Sequence, residues 1–123
     1  MVDRKAIFAY ANEVYQSTPE YLWAGDPDSA VLKHTDNKKW SALIMNVSKE
    51  KLGLNDKEEV DIINMKCDPD MIGTLRMING IFAGYHMNKK YWISVLLDGS
   101  VDESMIYDLL DKSFALTENK KRK

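Results

Sequence analysis

From Lys39 to Val47 apolar side chains stand on both faces of one extended run. Leu43, Met45 and Val47 share one side, and Trp40, Ala42 and Ile44 the other. A strand of that kind has to be covered on both faces, which places it inside a sheet. It is reached from Val31–His34 across Thr35-Asp36-Asn37-Lys38, a polar turn too short for a parallel crossover. The two runs therefore form an antiparallel hairpin, and the rest of the chain has to pack around it. Val60–Cys67 reads as a further strand with Ile63, Met65 and Cys67 on one face. Ile81–Tyr85 reads as a brief one. Tyr91–Leu97 alternates most cleanly, with Tyr91, Ile93, Val95 and Leu97 together.

Three segments have helical spacing. Between Asp3 and Gln16, the residues Ile7, Tyr10, Ala11, Val14 and Tyr15 draw one apolar stripe, stopped by Ser17-Thr18-Pro19. Asp68-Pro69 supplies an N-cap acceptor and a proline at the first helical position, followed by Met71, Leu75 and Ile78 as the inward side, up to Asn79-Gly80. Ser100 and Glu103 form a capping box for a last helix that buries Met105, Ile106, Leu109, Leu110 and Phe114. The order is helix, three strands, helix, one or two strands, helix. Short connections make the strands antiparallel, so the expected class is α+β, a single antiparallel β-sheet with helices packed on it. Residues 1–118 are read as one domain and 119–123 as a basic, disordered tail.

A chain of 123 residues has room for a single domain, and 45% hydrophobic with 29% charged residues is the mixture of a folded one. One cysteine and no leader pattern point to the cytoplasm, and no apolar run is long enough to span a bilayer. The net charge of −2 is unevenly spread. Positive charge collects in residues 33–51, at Lys89-Lys90 and in the last five residues, with acidic segments between them. A fold-wide nucleic-acid binder would be basic throughout, so any such contact here has to be local.

Catalytic machinery is not visible in the residues. Cys67, on a strand beside Ile63 and Met65, reads as a buried, inert thiol. His34 near a hairpin tip reads as a solvated ring, and one cysteine with two histidines does not make a zinc site. No glycine-rich phosphate cradle occurs, and Ser48-Lys49-Glu50-Lys51 lacks the companion motifs of serine acyltransferases. The segment Gly84-Tyr85-His86-Met87-Asn88-Lys89-Lys90-Tyr91-Trp92 stands apart. Lysines can meet phosphates there, Asn88 a phosphate or base edge, and the aromatics stacked bases. Equally, Gly84 can simply turn the chain while the aromatics pack and the lysines blunt a strand end. Lys33, Lys38 and Lys39 around the hairpin turn are open to the same two readings.

Lys39-Trp40-Ser41-Ala42-Leu43-Ile44, Met65-Lys66-Cys67-Asp68-Pro69-Asp70 with Leu75-Arg76, and the 84–93 block resemble the MmcQ/YjbR family of small bacterial proteins. So does Leu97-Asp98-Gly99-Ser100 with Ser113. Tyr91 stands where that family commonly has histidine. The resemblance implies a CyaY-like α+β fold, a two-winged layout proposed to contact DNA, and no established enzyme activity or cofactor. Carried onto this chain, the contact residues are His86, Asn88, Lys89 and Lys90, with Lys33, Lys38 and Lys39 on the second wing. The resulting expectation is a monomeric, non-enzymatic DNA-binding module that reads little sequence and needs no cofactor. A protein- or peptide-binding adaptor anchored by Trp40, Tyr85, Met87 and Trp92 is the alternative. The CyaY-like resemblance also implies iron binding by an acidic ridge, but Asp102, Glu103, Asp108 and Asp111 are explained by an exposed helix face without metal.

Overall fold

A computed structural model describes residues 2–118; the basic tail lies outside them. Helix α1 (Arg4–Tyr15) begins where the Asp3 side chain accepts the Ala6 N–H. Strands β1 (Ala30–Lys33), β2 (Trp40–Ser48) and β3 (Glu59–Lys66) follow, then helix α2 (Pro69–Leu75), strands β4 (Ile81–Ala83) and β5 (Trp92–Leu96), and helix α3 (Glu103–Leu116). The strands form one five-stranded antiparallel sheet in the order β1-β2-β3-β5-β4. The expected class is thus the observed one, with the brief fourth strand present.

The register explains why one face is the main core. Ile44, Ile63, Val95 and Ile81 stand opposite one another across four strands, and beside them run Ala42, Met65, Ile93 and Ala83. Helices α1 and α3 close over these rows with Ile7, Ala11, Ile106, Leu109 and Leu110. On the opposite face the row one residue along is Leu43, Asn64, Ser94 and Phe82. Helices α1, α2 and α3 leave it uncovered; a smaller cluster around Val47, Val60, Ile62 and Leu96 is joined by Tyr85 from a loop and by Leu52 from a single 3-10 turn, Lys49–Leu52.

Four local expectations are corrected. The register slips between Leu32 and Lys33: Leu32 faces Ala42 but Lys33 faces Trp40, so Ser41 is an extra residue in β2. Such a bulge turns the side chain before it to the other face. Trp40 therefore joins Leu43 and Met45 instead of Ala42 and Ile44. Ser113 on α3 holds the bulge, its hydroxyl donating to Ser41 O at 2.6 Å and accepting the Lys66 N–H at 2.8 Å.

Helix α2 ends at Leu75 and buries Ile72 and Leu75, leaving Met71 exposed. The N-cap of α3 is Asp102, because Ser100 is held in the preceding turn by the Asp98 carboxylate. His34 is buried: its Nε2 donates to Phe114 O at 3.0 Å, lies 2.8 Å from Thr117 Oγ1, and its ring stacks on Phe114. The hairpin end leans on the last turn of α3, which removes water from that ring. Phe114 in turn stacks on Tyr15, and the Tyr10 and Tyr15 hydroxyls both donate to Asp111, so the aromatic seam ties α1 to α3.

Candidate nucleic-acid interface

Met65 of β3 is flanked by Ala42 of β2 and Ile93 of β5. Counting back from those two residues, Asn37-Lys38-Lys39 and Asn88-Lys89-Lys90 occupy the same positions in the loops entering β2 and β5. Both strands run in the same direction, being antiparallel to the one between them. The two cationic loops therefore leave the sheet at the same end, two strand spacings or about 10 Å apart.

Each loop is built the same way. Asn37 Oδ1 accepts the Lys39 N–H at 2.8 Å, and Asn88 Oδ1 accepts the Lys90 N–H at 3.0 Å. These side chains stand in for a backbone turn. The loops close through His34 N–H to Lys39 O at 3.0 Å and Gly84 N–H to Trp92 O at 2.9 Å. Glycine is required at position 84 because a Cβ there would lie 2.8 Å from Trp92 Cβ and 3.0 Å from its carbonyl oxygen. Lys38 and His86 adopt left-handed backbone, with φ of 63° and 58°. That conformation is uncommon outside glycine and is sustained here by the closed loops.

Lys38, Lys39, His86, Asn88, Lys89 and Lys90 are all exposed. Their charges are not equally available. Lys89 Nζ donates to Gly84 O at 3.0 Å, and Lys90 Nζ lies 5.5 Å from the Tyr91 ring centroid. Lys33 is set apart: it is half-buried on β1 and its ammonium is 3.2 Å from the Glu20 carboxylate. Between the two loops, β3 runs into Asp68 and Asp70, both exposed, with Asp68 capping α2 by accepting the Asp70 N–H at 2.9 Å. The sheet end thus presents positive, negative and positive charge in turn, which weakens attraction to a polyanion without removing it.

Beside the loops, on the face without helices, lies a groove of about 320 Å³. Trp40, Leu43 and Met45 form its floor, with Trp23 on one side and His86-Met87 on the other. The Trp23 and Trp40 rings meet edge to face, centroids 5.7 Å apart. Of the anchors expected to make an adaptor patch, Trp40 and Met87 line this groove. Tyr85 and Trp92 do not form an exposed patch: both are half-buried, Tyr85 against the second cluster. Two features of the site were not picked out from the sequence. One is Trp23, whose partner Trp40 is known only once the bulge is seen. The other is the repeat Asn-Lys-Lys-aromatic, at 37–40 and 88–91, a short signal that is legible in the sequence.

Cys67 sits on the helix-covered side, and burial, with the Asp68 charge adding to it, raises its thiol pKa. His86 is on the other side of the sheet, so the two do not form a nucleophile–base pair. Among the described residues no group of three His, Cys, Asp or Glu side chains converges. No described helix is long and apolar enough to cross a membrane.

This architecture has close counterparts. An uncharacterised Bacillus subtilis protein, YyaQ, is 47% identical over 95% of this chain and 99% of its own length. A Pseudomonas syringae protein solved by crystallography is 42% identical and superposes with a TM-score of 0.92, over 95% of this chain and all of that one. A Deinococcus radiodurans crystal structure shares the fold at 24% identity, TM-score 0.75, over 98% of this chain and 81% of its own. The YjbR family model matches residues 12–116, which hold the whole sheet, α2, α3 and the last turn of α1, and the chain belongs to the YjbR family.

Proposed function

We propose that this protein is a weak, largely sequence-independent DNA-binding module whose Asn-Lys-Lys loops contact backbone phosphates. The observation that supports it is the matched register of the loops at one end of the sheet, which turns two isolated cationic blocks of a net-acidic chain into one surface. Lysines contribute point charges to phosphates and carry no base information. With Asp68 and Asp70 between the loops, affinity in the non-specific range of about 10⁻⁴–10⁻⁶ M at physiological salt is expected. Four engaged lysines would give a slope of log K against log salt near −3.5. The proposed protein acts as a monomer in the cytoplasm, with no catalytic step and no cofactor.

Fluorescence anisotropy of a labelled duplex at low and moderate salt tests this. Lys89→Glu/Lys90→Glu and Lys38→Glu/Lys39→Glu should each weaken binding at least tenfold at low salt and flatten the salt dependence. Unchanged binding in both double variants would sink the reading. The second reading, a protein-binding adaptor, is favoured by the exposure of Tyr21, Leu22 and Trp23 in one short segment. It predicts a partner whose affinity barely responds to salt.

A further inference from the structure

The groove is polar along its length in a way the phosphate reading alone does not use. It follows β2 from Trp40, next to Lys39 at the cationic end, to Met45. At the Met45 end it is closed by Asp26 and Ser29, for Ser29 precedes Ala30 and Ala30 stands opposite Ile44. The Asp26 carboxylate accepts the Ser29 hydroxyl through Oδ2 at 2.5 Å. No lysine lines the groove itself. It has an aromatic and methionine-lined floor and a carboxylate at its far end; just outside its Trp40 and His86 side are the chain neighbours Lys39 and Asn88-Lys89-Lys90 of the two exposed loops. A purely anionic occupant is repelled by that carboxylate, and a purely apolar one gains nothing from the lysines.

We propose that the groove takes an unpaired nucleobase, which makes single-stranded nucleic acid the preferred ligand. This deepens the DNA-binding reading and rests on it. A nucleotide matches the groove at each level. Its phosphate lies outside the groove at the Trp40 end, on the exposed loop carrying Lys38 and Lys39. Its flat base stacks in the middle on the exposed part of Trp23, whose ring stands perpendicular to that of Trp40 and forms a corner with it. An exocyclic amino group donates to Asp26, as carboxylates accept from cytosine N4. Met45 and Met87 supply polarizable contacts that adapt to different ring sizes. In a duplex the base is stacked and paired, so it cannot reach this floor without being extruded.

The test compares labelled twelve-nucleotide strands of oligo-dC, of oligo-dT and of abasic spacer, which carry the same phosphates, together with a duplex. Anisotropy gives the affinities and intrinsic tryptophan fluorescence reports the stacking. Oligo-dC should bind about 5- to 150-fold more tightly than the abasic strand, the range expected for one stacked base, and should quench the tryptophan signal. Trp23→Ala, at an exposed position, should lower oligo-dC to the abasic level with an unchanged unfolding midpoint. Asp26→Asn should erase the preference for oligo-dC over oligo-dT. Equal affinity for oligo-dC and the abasic strand would overturn the base pocket and leave the phosphate reading standing. Absence of binding to every strand and to the duplex would overturn both. Salt-insensitive capture of a peptide, with no nucleic acid bound, would assign the groove to the adaptor reading instead.

Discussion

The two faces of the sheet are made by the same strands in the same register, yet they do different work. On the helix-covered face the central row, Ile44-Ile63-Val95-Ile81, is wholly apolar and dry. One residue along, on the other face, the middle of the row is Asn64 and Ser94, both fully buried. These polar groups are satisfied by each other and by the loop above them. Ser94 donates to Asn64 Oδ1, the Tyr85 N–H donates to Ser94 Oγ at 2.8 Å, and Asn64 Nδ2 points at Met45 Sδ at 3.5 Å. The apolar face holds the protein together through contacts that are interchangeable in kind. The polar row instead fixes where one loop must lie, because an unpaired buried donor is costly. That loop is the one carrying His86, Asn88, Lys89 and Lys90.

The sharpest way to break the contrast is to cut into each face in turn. Ile63→Ala removes a fully buried side chain from the centre of the apolar row and should cost about 3–4 kcal/mol in denaturant unfolding. Loop chemistry is left untouched, so nucleic-acid affinity of the folded fraction should not change. Ser94→Ala leaves Asn64 Oδ1 and the Tyr85 N–H without their partner and should cost about 1–3 kcal/mol. Unlike the first change, it should speed amide exchange in residues 84–91 and weaken binding. Equal loop protection in the two variants would show that the polar row does not place the loop.

The smallest effect belongs to the rim of the helix-covered face, where the polar contact is charged. Arg4 grips Asp61 through Nε at 2.8 Å and Nη2 at 2.9 Å, and Asn46 adds a hydrogen bond at 3.0 Å. Burial pushes the Asp61 carboxyl pKa upward, but the Arg4 and Asn46 hydrogen bonds and the Arg4 charge outweigh it and hold it below the ordinary aspartate value. The folded protein thus binds that proton less readily than the unfolded chain. Its contribution is fully present above the ordinary aspartate pKa and is lost as pH falls through the lower, folded one. Since water reaches the pair, about 1 kcal/mol is at stake. Unfolding followed from pH 6 to pH 2 should show a steeper decline in the parent chain than in Asp61→Asn, in which Asp98, pushed up by burial but held low by its Ser100 hydrogen bonds, still titrates. The neutral Asn64–Ser94 row should add no such dependence.

Much of the fold is legible where local chemistry and tertiary packing agree. The Asp3 and Asp68 caps, the α3 stripe and the Ile93, Val95 and Leu97 side of the last strand are used as their local chemistry suggests, while Tyr91, expected on that side, lies outside β5 and is exposed. The misreadings share a cause. Trp40 alternates with Ala42 and Ile44 in the sequence, but Ser113, brought in by a helix far along the chain, accommodates a bulge that reverses it. His34 looks solvated because the turn of α3 that buries it is 80 residues away. Met71 stays exposed because α2 turns Ile72 and Leu75 to the core, a facing set by what the helix packs on, while Ile78 reaches the core from beyond the helix end. For the site, the Asn-Lys-Lys repeat and its turn chemistry can be read directly. Its pairing across β3 cannot, since register is a property of three strands at once.

Taken alone, the sequence determined the elements: which segments coil, which extend, where most begin, and that positive charge arrives in short blocks. Those outcomes follow from the preferences of neighbouring residues, which act over a few bonds. The tertiary structure decided which blocks meet, which face Trp40 joins, and that a groove lies between a tryptophan corner and a loop. These depend on hydrogen-bond register and on a bulge pinned from a distance, where the energy that selects one arrangement comes from partners the local sequence does not contain.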